Sequence, residues 1–176
     1  MTNLDTTPLV SPIFTNMTPD EREQVVTLLE PQTYQAGDVI LREGESTQLL
    51  RIIVRGRCEV FILRSDGSDN RLAVLEPGAV FGEMSFFHPA PHSATVRAVT
   101  EVEVMRLSRQ KFDRLHELAA GAAYKIAANT AGIIAERLRR MDQWVRDFVA
   151  NREGKSQPVK EEWEEFRAKL YSDWQF

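Results

Sequence analysis

Apolar residues keep two different rhythms along this chain. Between about residues 32 and 107 they come in short runs, some alternating with polar positions, and each run is closed by glycine or a polar turn. These runs predict strands over 32–35, 39–42, 49–54, 57–64, 71–75, 93–99 and 102–107. Gly37, Gly44, Gly56 and Gly67 sit in the gaps, and the pair Asp66 and Gly67 is a hairpin signal. Many short strands at this spacing predict a β-sandwich or a barrel-like β-roll. From Arg109 the spacing lengthens to the helical one, which predicts a short helix over 111–115 and one long helix over 119–150, only weakly interrupted by Gly121 and Gly132. A further helix is expected ahead of the strands. Thr18, Pro19 and Glu21 supply an N-cap, a proline at the first helical position and a capping-box acid, Val25, Val26, Leu28 and Leu29 an apolar face, and Pro31 a stop.

The long helix carries a seam at alternating four- and three-residue spacing: Ala120, Tyr124, Ala127, Ala131, Ile134, Leu138, Met141, Val145 and Phe148. That spacing lets two such helices pack as a coiled coil. A second line through Ile126, Ile133 and Arg137 faces another side, so one side can pack on the strands and the other on a twin. An apolar stripe is first of all a burial surface, and the seam can equally belong to the core of its own chain. Residues 151–158 read as a linker, and 159–174 as an amphipathic helix with Val159, Trp163, Phe166, Leu170 and Trp174 along one face. Such a face suits a groove on this domain, on a twin or on a protein partner. The resulting divisions are an N-terminal arm (1–12), a strand domain (13–115), the long helix (116–150) and the linker with its tail helix (151–176).

Composition narrows the class. With 176 residues, 43% hydrophobic and 27% charged, the chain is one ordinary globular domain with appendages. A net charge of -4 provides no global basic field for nucleic acid or an anionic membrane. The single Cys58 excludes a disulfide framework within the chain, a zinc ribbon and a four-cysteine iron–sulfur site. No apolar run reaches membrane-spanning length and no signal-peptide pattern opens the chain, so a cytoplasmic protein without membrane contact is expected.

The most unusual chemistry lies between Gly78 and Val96, in the stretch GAVFGEMSFFHPAPHSATV. Gly78 and Gly82 permit turns that a side chain would obstruct. Residues 83–87 can form one helical turn, leaving the N–H groups from Gly82 to Ser85 outward and unpaired, which suits an anion. Glu83 at the rim suits sugar hydroxyls better than a second anion, unless it merely caps its own turn.

This stretch resembles the phosphate-binding cassette of the cyclic-nucleotide-binding domains, the family of catabolite activator proteins, cyclic-nucleotide-gated channels and kinase regulatory subunits. The resemblance is carried by Phe81, Gly82, Glu83, Met84, Ser85, Phe86 and Phe87, then Pro91, His92, Ser93, Ala94, Thr95 and Val96, and by the glycine frame around Gly37, Gly44 and Gly56. It covers about residues 13–148. It implies a mainly β fold with flanking helices: a double-stranded β-helix or jelly-roll (β-roll) with an N-terminal helix, a cassette helix, a long C-terminal helix and a short tail helix. It also implies that Glu83 binds a ribose 2'-hydroxyl and that the long helix is both dimer helix and lid, with Ile133 and Arg137 nearest the base. The ligand-binding set expected is Gly82, Glu83, Met84, Ser85, His92, Ser93, Ala94, Leu72, Ile133 and Arg137.

His92 stands where the family has the arginine that pairs with the phosphate. An imidazole is charged only part of the time near neutral pH, so it is either a pH-dependent phosphate ligand or a structural residue of the cassette. If His92 meets phosphate, tighter binding is expected near pH 6 than near pH 8. The expected function is a non-enzymatic sensor of a cyclic nucleotide, cAMP or cGMP, or of a cyclic dinucleotide, with no cofactor and no catalytic residues. A homodimer through 119–150 is expected, a protein partner for the tail is open, and DNA is not expected because 151–176 is too short for a helix-turn-helix appendage. The alternative is a ligand-independent interaction module with a vestigial pocket. A cupin-like metal enzyme using His88, His92 and Glu83 is remote, because the prolines between the histidines break any helix that would align them.

Overall fold

The computed structural model describes residues 10–63 and 66–150, without the side chains of residues 144, 145 and 147–150. Residues 1–9 of the expected flexible arm over 1–12, the linker and the tail helix lie outside the described residues, as do the side chains of Val145 and Phe148; the end of the arm is built into the fold, with Ser11 buried and Pro12 opening a 3-10 turn over Pro12–Phe14. Helix α1 (Pro19–Val26) starts as its sequence requires: the Thr18 hydroxyl accepts from the Glu21 N–H at 3.2 Å and the Glu21 carboxylate accepts from the Thr18 N–H at 2.7 Å. It stops earlier than Pro31, at the C-cap Thr27, and Leu29 turns back into the core. Pro31 instead lies in strand β1 (Glu30–Tyr34), paired with β8 (Val102–Ser108) at the edge of its sheet, where a missing N–H is tolerated.

Six further strands complete two antiparallel four-stranded sheets. One has the order β1, β8, β3 (Leu49–Arg55), β6 (Val80–Phe81); the other has the order β2 (Val39–Leu41), β7 (Thr95–Ala98), β4 (Cys58–Leu63), β5 (Asp69–Leu75). The first sheet is the middle layer of the molecule. Ile53, Val102 and Val104 point into the core between the sheets, while Leu50, Ile52, Met105 and Leu107 point into a second core beneath the helices. Burial on both faces explains why β3 and β8 read as nearly continuous apolar runs rather than alternating ones. The two-residue β6 was too short to predict and is defined only by its pairing, Arg51 with Phe81 and Ile52 with Val80.

The cassette helix α2 (Glu83–Phe87) follows β6, and helices α3 (Arg109–Leu118) and α4 (Ala120–Ala150) follow β8. Helix α4 runs unbroken through both glycines. It buries Ala122, Ala123 and Ile126 in the second core, alongside α1, α3 and the turn Pro12–Phe14, and Thr130 is buried as well, while Tyr124, Ile134, Leu138 and Met141 remain exposed, with Tyr124 at 72%. The large described residues of the seam are therefore not core, although its Ala127 packs against the second core. Polar contacts hold α4 on its inner side. The Asn129 amide donates to the carbonyls of Ile13 and Thr15 at 2.8 and 2.9 Å, and Lys125 pairs with Glu21 at 2.6 Å.

Candidate ligand-binding site

The site begins with a backbone conformation. Gly82 has φ 78°, and a Cβ there would stand 2.6 Å from the Leu49 carbonyl oxygen, so both the left-handed turn and the close approach of β3 require glycine. That turn ends β6 and opens α2, and it faces a cavity of about 350 Å³, within the range of small-molecule sites. Gly82, Glu83, Met84, Ser85, His92, Ser93 and Ala94 all line it from the cassette, and Ile134 and Arg137 line it from α4. Leu41, Val60, Leu75, Phe81 and Val96 make much of the remaining wall apolar.

Glu83 is 4% exposed, and its charge is matched. The Arg137 guanidinium donates to Glu83 Oε1 and also to the Val80 carbonyl, the latter at 2.7 Å. A buried carboxylate left alone would carry a large desolvation penalty, so the ion pair is what allows this residue to face an apolar cavity. The pair also joins the cassette directly to the long helix.

His92 lies 6% exposed between two hydroxyls. The Thr47 N–H reaches Nε2 at 3.2 Å, which makes Nε2 an acceptor and places the ring proton on Nδ1, from which it is donated to Ser85 Oγ at 2.9 Å. The Thr47 hydroxyl then completes the site by donating to Nε2 at 2.8 Å. Burial and then the positive charge of Arg51 push the His92 pKa below its usual range. His92 is thus a neutral brace tying the loop at Thr47 to the cassette helix at Ser85, with both ring nitrogens in use. This is the structural alternative for His92, and it opposes the expected tightening of phosphate binding near pH 6.

Two expected positions lie elsewhere. Leu72 is 0% exposed in the core between the sheets, and Ile133 packs in the second core beneath the helices; neither lines the cavity. A turn of 100° separates Ile133 from Ile134, and spacing from Arg137 alone does not choose between them, since both are helical neighbours of that residue. Also missed was Arg51, 4% exposed on β3, whose Nη1 donates to the Leu49 carbonyl at 3.1 Å behind Gly82. Among the described residues no group of three His, Cys, Asp or Glu could hold a metal ion, and no helix is long and apolar enough to cross a membrane. Burial pushes the Cys58 thiol up to about 12, which leaves it inert as a nucleophile.

The two sheets, the glycine-opened cassette and the long helix beside its cavity together define a β-roll. The profile of the cyclic nucleotide-binding domain matches residues 31–118, half of the sequence, and the chain belongs to that family. It is 30% identical over 132 residues to the cyclic AMP receptor protein of Thermus thermophilus, covering 75% of this chain and 59% of that one. Over 104 residues it is 35% identical to a cAMP-dependent protein kinase regulatory subunit of Neurospora crassa, covering 59% of this chain and 26% of that one. Among solved structures, the Thermus thermophilus catabolite activator protein superimposes with a TM-score of 0.71 at 25% identity, over 90% of this chain and 81% of that one. The chain thus spans about three fifths or less of the length of these curated relatives, which are regulatory proteins.

Proposed function

We propose that this protein is a non-enzymatic sensor that binds a cyclic nucleotide in the cavity bounded by residues 82–94 and reports occupancy through α4. The observation that carries this reading is the Glu83–Arg137 pair. A ribose hydroxyl donating to the Glu83 carboxylate competes for the same oxygens that hold Arg137, so filling the cavity changes how firmly α4 is held. Differential affinity for two helix positions is what a signal requires. Cyclic AMP is the first choice, supported by the cyclic AMP receptor protein and the cAMP-dependent protein kinase regulatory subunit among the relatives; cyclic GMP and a cyclic dinucleotide are weaker ones. Division of labour follows the chain: the roll over 13–115 holds the ligand and the helix over 116–150 transmits. The exposed Tyr124, Ile134, Leu138 and Met141 support a homodimer through 119–150. The reading places the protein in the cytoplasm, where a lone buried cysteine stays reduced.

One observation favours a second reading. Because His92 is neutral and fully engaged, the cassette presents no cation at the position where its family has one, as a vestigial pocket in an interaction module would. Calorimetric titration of the purified protein with cyclic AMP, cyclic GMP and cyclic di-GMP separates the two. Saturable heat with any of them supports the sensor; silence from all three, with a folded protein, transfers the function to the interaction module.

A further inference from the structure

We propose that Arg51, inside the roll on β3, supplies the positive charge for the ligand phosphate that position 92 does not. The inference rests on the cyclic-nucleotide reading above and adds to it a residue and a charge count. Arg51 is 4% exposed, and its Nη1 lies 3.1 Å from the point where a Gly82 Cβ would stand. Gly82 itself lines the cavity, so the guanidinium sits one residue's thickness behind the wall.

The charges around the cavity do not cancel. Glu83 and Arg137 neutralise each other, and His92 is uncharged in its hydrogen-bonding state. Among the described residues no carboxylate forms an ion pair with Arg51. Its Nη1 is held by the Leu49 carbonyl, the Tyr34 hydroxyl is a further neutral partner, the Phe81 ring centroid lies 5.9 Å away, its Nε has no hydrogen-bond partner, and the neighbouring Arg106 is itself paired with Glu30. The count leaves one positive charge, which matches the single negative charge of a phosphodiester.

A structural role alone is a poor reason for this arginine. Burying a guanidinium without a carboxylate costs more than burying an apolar chain of similar length, and the neutral contacts with the Leu49 carbonyl and Tyr34 do not offset that. Nor is the charge shielded from the cassette. After burial, its charge is the next cause that pushes the His92 pKa down, so the guanidinium lies within electrostatic reach of a residue that lines the cavity. Absence of a carbon on Gly82 keeps that distance short, which gives the glycine a second use beyond its φ.

The test compares wild type with Arg51→Met and Arg51→Lys in the full chain. Arg51→Met is expected to weaken cyclic AMP binding by at least about tenfold, while the unliganded protein melts at the same temperature or higher. It is also expected to raise the titration midpoint of His92, followed by NMR of the imidazole without ligand. Arg51→Lys, which keeps the charge, is expected to keep most of the affinity. Unchanged cyclic AMP affinity in Arg51→Met overturns the proposal and leaves the sensor reading intact; so does an unmoved His92 midpoint. Equal loss of affinity and melting temperature in both variants reveals a packing role only, and overturns it as well. No binding of cyclic AMP, cyclic GMP or cyclic di-GMP by wild type removes the sensor reading, and this inference with it.

Discussion

Arg137 donates to the carboxylate of Glu83 from a helix 54 residues further along the chain, and both side chains are almost wholly buried. The same guanidinium holds the Val80 carbonyl, so one side chain clamps β6, α2 and α4 at the cavity mouth.

Breaking that clamp from one side strands a buried charge. Arg137→Met is expected to cost about 3 kcal/mol of stability, because Glu83 is left unpaired in an apolar wall. Glu83→Gln strands the Arg137 guanidinium instead, but that group keeps the Val80 carbonyl and the new amide oxygen as acceptors and is the more exposed partner, so it should cost less. In urea titrations, a loss below about 1 kcal/mol for Arg137→Met would show that the pair does not work as a buried unit.

The His92 brace gives ligand-free stability a defined pH slope. Its folded pKa is depressed, so between that value and about 6.5 the unfolded chain binds a proton that the native state refuses, and stability falls as the pH is lowered through this window. Urea midpoints measured at about pH 7.5 and about pH 5.5 should therefore drop, and His92→Gln should flatten its share of the drop. A steeper slope in the variant would mean that His92 is protonated in the native state.

Removing the brace also leaves Ser85 Oγ and the Thr47 N–H without their partner. His92→Ala is accordingly expected to cost about 1–3 kcal/mol even at neutral pH, checked by the same titrations. A loss below about 0.5 kcal/mol would mean that water replaces the ring without penalty.

Gly82→Ala combines a left-handed φ with a 2.6 Å approach to the Leu49 carbonyl. We expect a loss of about 2 kcal/mol or more and a cavity displaced from α2, visible as amide shifts over residues 82–87. A neutral substitution would show that β3 moves aside freely.

If the exposed face of α4 is a dimer seam, a charge at its centre should split it. Leu138→Glu is expected to convert a dimer to a monomer in light scattering, with the melting of the roll little changed. Wild type running as a monomer at high concentration would remove the dimer proposal.

Local signals predicted much of this architecture. The capping box at Thr18 and Glu21, the helical turn over 83–87 and the shift to helical spacing at Arg109 depend on neighbours within a few residues, and each formed where its sequence placed it. Seven of the strands were legible as apolar runs, and the cassette pattern drew Gly82, Glu83, Ser85 and His92 to one place before any pairing was known. The eighth, Val80–Phe81, exists only because β3 pairs with it.

Partners across the chain set the rest. His92 read equally as a ligand or a brace until Thr47 and Ser85 were found on either side of its ring, because protonation state follows from what surrounds a group and not from its position in a motif. Ile133 and Ile134 are both helical neighbours of Arg137, and only the rotation of α4 on its neighbours packs one against the core and turns the other to the cavity. Arg51 looked like an ordinary charged residue within a strand. Strand alternation placed it inside the roll, beside Gly82 and near His92, and that proximity is a property of two sheets closing on each other rather than of any stretch of sequence.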